Sequence, residues 1–89
     1  MKAKKVLKQN SRPYFLWDYD LTEKDVRRIL RGQNETEKIW MLSRILESAK
    51  LEDVWRYVTL NEVNDFFPKL RLKKPIRTAW ENALYVWNS

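Results

Sequence analysis

Apolar residues recur along most of this chain at three- and four-residue intervals, the spacing of one face of an α-helix rather than the alternation of a strand. The first such segment begins at Thr22-Glu23-Lys24-Asp25, a capping-box pattern with Asp in place of the usual Glu. Val26, Ile29 and Leu30 follow on one face. Gly32 is expected to stop the helix in the left-handed conformation common at helix C-termini. Asn34 with Glu37 opens a second helix with the stripe Ile39, Leu42, Ile45, Leu46 and Ala49. A break at Ala49-Lys50 predicts a short third helix carrying Leu51, Val54, Trp55 and Val58. Glu52 and Asp53 near its start suit the positive end of the helix dipole. Thr59 with Glu62 caps a fourth helix with Leu60, Val63, Phe66 and Phe67, which Pro68 ends. Pro75 then sits in the first turn of a last helix, where a missing N–H costs nothing. Its stripe is Ile76, Ala79, Trp80, Ala83, Leu84 and Trp87. The expectation is all-α: a compact array of about five short helices, with residues 14–89 forming one domain.

Two stretches fall outside this pattern. Residues 1–13 read as a flexible basic arm: Lys2, Lys4, Lys5, Lys8 and Arg12 occur there with no acid, and Pro13 biases the residue before it away from helix. Tyr14-Phe15-Leu16-Trp17-Asp18-Tyr19-Asp20 follows, aromatic and without helical spacing, and reads as extended or irregular. Trp17 in this segment either anchors onto the bundle or belongs to a partner-facing strip with Tyr14, Phe15 and Tyr19, since Trp and Tyr are favoured at interface hot spots.

Composition narrows the chemistry. The 89 residues contain no Cys and no His, so a disulfide scaffold, a thiolate metal site and the commonest general base are all absent. Gly32 stands alone, whereas a phosphate-cradling loop needs several glycines. No serine sits in a strained strand-to-helix turn. Asp18 and Asp20 are read as turn and cap residues; a Mg²⁺ site normally needs further carboxylates or substrate phosphates. The expectation is a non-enzymatic protein with no cofactor and no metal. Five Trp, four Tyr and three Phe supply large apolar area, and three of Trp40, Trp55, Trp80 and Trp87 are expected in the core. No apolar run approaches the roughly 20 residues that span a bilayer. No apolar stretch follows the charged start as in a signal peptide. A cytoplasmic protein without membrane contact is expected.

The formal net charge is +6. Most of it sits in the arm, because the remaining residues carry 13 bases against 12 acids. A second basic stretch, Lys69, Arg71, Lys73, Lys74 and Arg77, contains no acid. Both clusters are candidates for phosphate contact by counterion release. A helix-turn-helix built from the third and fourth helices is disfavoured, because Asn61, Glu62, Asn64 and Asp65 would present acids to phosphate.

Four segments together carry a resemblance: Phe15-Leu16-Trp17-Asp18; Asn34-Glu35-Thr36-Glu37-Lys38-Ile39-Trp40; Asp53-Val54-Trp55-Arg56-Tyr57-Val58-Thr59; and Arg77-Thr78-Ala79-Trp80-Glu81-Asn82-Ala83-Leu84. Over roughly residues 14–87 the chain resembles a family of small prokaryotic proteins sharing FWD-like, VWRYLT-like and LWEYAL-like motifs. The resemblance implies a gene beside a nucleotidyltransferase-type toxin of the abortive-infection class, with this protein as its antitoxin. It implies no catalytic residue. Leu16 and Val58 stand where Phe and Leu are common in the family, both apolar exchanges.

Three functions follow as expectations. The first is a regulatory, antitoxin-like protein that binds a partner enzyme. The second is a small nucleic-acid-binding protein using the arm and the Lys69–Arg77 stretch. The third is an oligomerisation or scaffold subunit.

Overall fold

The computed structural model describes residues 13–16 and 18–88. Among these, the architecture is all-α, as the periodicity predicts. The helices are α1 (Glu23–Arg31), α2 (Glu35–Ser48), α3 (Leu51–Val54), α4 (Leu60–Phe66) and α5 (Lys74–Trp87). A short 3-10 turn at Tyr14–Leu16 precedes α1, and another at Phe67–Lys69 follows α4. No helix is long and apolar enough to cross a membrane among the described residues.

The caps define the helix starts. Thr22 Oγ1 accepts the Asp25 N–H at 3.2 Å, and Asp25 accepts the Thr22 N–H at 3.0 Å. Thr59 and Glu62 repeat the same reciprocal pair at the start of α4. Asn34 Oδ1 accepts the Glu37 N–H at 3.1 Å. Each arrangement satisfies N–H groups that a first helical turn otherwise leaves without partners.

The end of α1 departs from expectation. Gly32 is extended, with φ −75° and ψ 179°, not left-handed. Its N–H bonds to the Ile29 carbonyl at 3.2 Å, closing α1 with a tight final turn. The chain then bends through Gly32 and Gln33 to the Asn34 cap without a positive φ. The aromatic segment also differs, since Tyr14–Leu16 forms a helical turn in which Phe15 and Leu16 are buried. Pro13 is buried, and its carbonyl accepts the Leu16 N–H at 3.0 Å, so the folded body includes it. α3 is a single turn that ends at Val54.

α2 is the central element. Met41, Leu42, Ile45 and Leu46 on it join Phe15, Leu16, Val26, Ile29, Val54, Val58, Val63, Leu70, Trp80 and Leu84 in one core. Polar ties from every side end on this helix. Trp80 Nε1 donates to the Leu46 carbonyl at 3.1 Å. The Arg71 N–H donates to Ser43 Oγ, which in turn donates to the Ile39 carbonyl at 2.8 Å. The Lys73 N–H, just before α5, donates to Glu47 at 2.9 Å. Lys69 pairs with Glu35 at 2.7 Å and holds that carboxyl below its ordinary value. Away from α2, the buried-side hydroxyl of Tyr57 donates to Glu23. Burial, then this carboxylate, pushes the phenol far up, so it remains a neutral donor that ties α1 to the turn after α3.

Candidate functional site

The four mapped tryptophans part company. Trp80 alone is buried, at 8% exposure; Trp40 is half-buried, and Trp55 and Trp87 are exposed at 37% and 39%. The expectation of three core tryptophans is therefore corrected to one. The reason is the placement of α5. Trp80 and Leu84 on it enter the core, but among the described residues no further element covers its flank.

The exposed rings are not scattered. Trp55, Trp80 and Trp87 form a closed triangle of edge-to-face contacts, with centroids 6.0, 5.6 and 6.0 Å apart. This is the arrangement that the ring quadrupoles favour. Beside it opens a groove of about 260 Å³ lined by Leu46, Ala49, Leu51, Ala79, Trp80, Ala83 and Trp87. Leu51 is 50% exposed and Val86 is 65% exposed. Ala79, Ala83 and Val86 follow the i, i+4, i+7 rhythm along one side of α5, so the exposed Val86 lies on the side that carries the two groove-lining alanines. Tyr85, 79% exposed, lies about 200° around the helix from Trp87 and belongs to another side. Two asparagines hold the far end of α5: Asn64 and Asn88 exchange hydrogen bonds of 3.0 and 2.9 Å.

The N-terminal strip meets this face at α3. Tyr14 is half exposed, and its hydroxyl donates to Asp53 at 2.6 Å and accepts the Lys50 N–H at 2.7 Å. Loss of water and the Asp53 carboxylate raise its pKa. Its oxygen thus caps the start of the turn that carries Leu51 and Trp55. Phe15 is 2% exposed and packs edge-to-face on Tyr14 and Tyr57, so it is a core residue and leaves the strip. Tyr19 is 38% exposed, standing edge-on to Trp40 and under the Arg44 guanidinium. Trp17 lies outside the described residues. Asp18 pairs with Arg44 at 3.3 Å.

The two basic clusters fare differently. Lys2, Lys4, Lys5, Lys8 and Arg12 lie outside the described residues. In the second cluster, Arg77 turns inward. Its guanidinium donates to the Phe67 and Leu70 carbonyls at 3.4 and 3.1 Å and stacks on the Phe67 ring. It closes the end of the 3-10 turn and is removed from the set of candidate phosphate contacts. Lys69 is shared with Glu35, while Arg71, Lys73 and Lys74 are exposed.

Sequence reasoning missed Leu51 and Val86 as surface positions. The signal for Val86 was present, since it continues the Ala79-Ala83 register. Leu51 and Trp55, at i and i+4, looked like a core stripe because nothing local says that α3 is one turn long.

No protein-family model, curated protein or solved structure matches this chain.

Proposed function

We propose that this chain is a cytoplasmic, non-enzymatic regulatory protein that binds a partner enzyme through the face formed by α3 and α5. The observation that carries the reading is the tryptophan triangle open to solvent beside an apolar groove. Large aromatic side chains around a small concavity are the usual anchors of protein–protein binding energy. Leu51, Trp55, Val86 and Trp87 would supply the buried centre of the contact, with Tyr14 at its edge. The resemblance to antitoxin-like proteins names the partner class: a nucleotidyltransferase-type toxin, held inactive by the bound complex. Such a role needs a shaped surface and no reacting group, which suits a chain without His or Cys.

The test is capture of the tagged protein's partners from native lysate, with and without nuclease. A nucleotidyltransferase retained after nuclease treatment, and lost with Trp87→Asp, supports the proposal. Recovery of nucleic acid alone overturns it. Light scattering separates the scaffold alternative. A mass of 10.9 kDa leaves the face free for a different protein. A dimer that Trp87→Asp dissociates assigns the face to a second copy and also overturns the proposal.

A further inference from the structure

We infer that a second groove, on another side of α2, binds a nucleotide unit of a single-stranded nucleic acid. The inference is independent of the partner-binding face, which Leu46 and Ala49 border from elsewhere on the helix. Thr36, Trp40, Ser43 and Glu47 fall at i, i+4, i+7 and i+11 and form one face of α2. With Ile39, Arg44, Lys69 and Arg71 they line a groove of about 410 Å³. It has an aromatic wall, three cations, two hydroxyl side chains and one carboxylate.

Each part has a chemical use. Trp40 is half-buried: Tyr19 stands edge-on to it at 4.9 Å, which fixes the indole while part of it remains open to the groove. A fixed, partly exposed indole is a platform on which any base can stack. Arg44 is held over the Tyr19 ring and against Asp18 and the Phe15 carbonyl, while its Nε is buried with no hydrogen-bond partner among the described residues. It places a guanidinium at the back of the groove, its charge shared with Asp18. Lys69 and Arg71 stand at the opposite wall. Three carboxylates oppose these cations: Glu35 pairs with Lys69 at 2.7 Å, Asp18 pairs with Arg44 at 3.3 Å, and Glu47 in the groove wall is turned to the Lys73 N–H. Arg71 and Lys73 therefore supply the charge, and Trp40 the stacking.

The connector between Lys69 and α5 explains why a strand fits better than a lone anion. Residues 70–73 form neither helix nor strand, and Leu70 (φ −76°, ψ 150°) and Lys73 (φ −64°, ψ 146°) have open, polyproline-like backbone. Burial alternates: Leu70 is buried and Leu72 half-buried, while Arg71 and Lys73 are exposed. Two residues of such open chain span roughly 6.2 Å. Arg71 and Lys73, both exposed, therefore stand at a spacing that successive phosphates of an open strand match. The Arg71 N–H bond to the buried Ser43 hydroxyl pins this segment to α2, so the register of the cations is set before any ligand arrives.

The test is fluorescence anisotropy with a short labelled oligothymidine. It uses the full-length chain in which Lys2, Lys4, Lys5 and Lys8 are changed to Gln, so that the arm does not contribute. Arg71→Ala is expected to weaken binding severalfold and to reduce the slope of log affinity against log salt by about 1. Trp40→Leu is expected to weaken it about tenfold with the salt slope unchanged, as loss of a stacked base requires. Trp40→Phe, which keeps a ring, should restore part of that loss, and circular dichroism checks that each variant is folded. Thymidine monophosphate that competes as well as the strand would identify the free nucleotide as the source of the same chemistry; failure to compete would identify the strand. Affinity and salt slope unaltered by both Arg71→Ala and Lys73→Ala would overturn the inference. So would displacement by inorganic polyphosphate at equal phosphate concentration, which shows charge without base recognition.

Discussion

α2 and α5 are both 14 residues long, and both carry an apolar stripe, yet they are used in different ways. α2 buries Met41, Leu42, Ser43, Ile45 and Leu46; α5 buries Trp80 and Leu84. Elements pack on several sides of α2. α5 is tied at its start by Glu47, in its middle by Trp80 and at its end by Asn64, while Val86 and Trp87 on it are exposed. An apolar stripe records that a helix has something to bury. It does not record whether the burial happens within the chain or against another molecule.

The comparison can be broken at several strengths. The largest effect is expected at Met41 or Ile45, each fully buried. Truncation of either to Ala should cost about 2–5 kcal/mol, read from urea denaturation midpoints. Val86→Ser on α5 should leave stability within about 0.5 kcal/mol while reducing partner affinity. Equal destabilisation at the two helices would remove the distinction. Next comes Trp80→Phe, which keeps a ring but leaves the buried Leu46 carbonyl without this donor. A loss of about 1–3 kcal/mol is expected by the same measurement. Thr59→Ala removes half of a capping box and should cost about 1 kcal/mol, whichever large helix is intact.

The pH dependence sharpens the picture at α1 and the start of α2. Asp25 is held down by the Thr22 N–H and by Arg28, and Glu35 by Lys69. Both carboxyls are more acidic when folded than in the unfolded chain. Their stabilisation is therefore present above the ordinary values of 3.8 and 4.5 and is lost as pH falls through the lower folded values. Thermal melts between pH 5 and pH 3 should show a falling Tm, and Glu35→Gln should remove part of the slope. The smallest effect is expected at Gly32→Ala. The φ of −75° suits alanine, but the added Cβ would lie 3.3 Å from the Arg28 carbonyl. Lower unfolded-state entropy and slight crowding oppose each other, leaving a change within about 0.5 kcal/mol.

What could be read from the sequence was local. Thr22 with Asp25, Asn34 with Glu37, Thr59 with Glu62, and Pro75 each act within one helical turn, so the residue pattern contains the whole interaction. Gly32 shows the limit even there: its type permits a left-handed cap, and only the path to Asn34 decides against one. The candidate surfaces depend on distant partners. Arg77 looked like an exposed cation because its acceptors, the Phe67 and Leu70 carbonyls, are main-chain atoms that no side-chain pattern reveals. Phe15 looked like part of a surface strip because Tyr57, its partner, is far along the chain. Trp55 and Trp87 became surface residues when α5 turned Trp80 inward, a choice made by packing and not by spacing.

The tryptophan triangle also makes the protein its own optical reporter. Indoles this close and mutually tilted by 73–74° exchange excitation energy and couple their transitions. Circular dichroism should carry a paired positive and negative band from the cluster, and emission should be dominated by the member in the most polar surroundings. A ligand seated beside Trp87, or a loosening of the end of α5, would shift that emission and flatten the band pair before any helix is lost. Events on this face can thus be followed without a label, separately from unfolding of the core around α2.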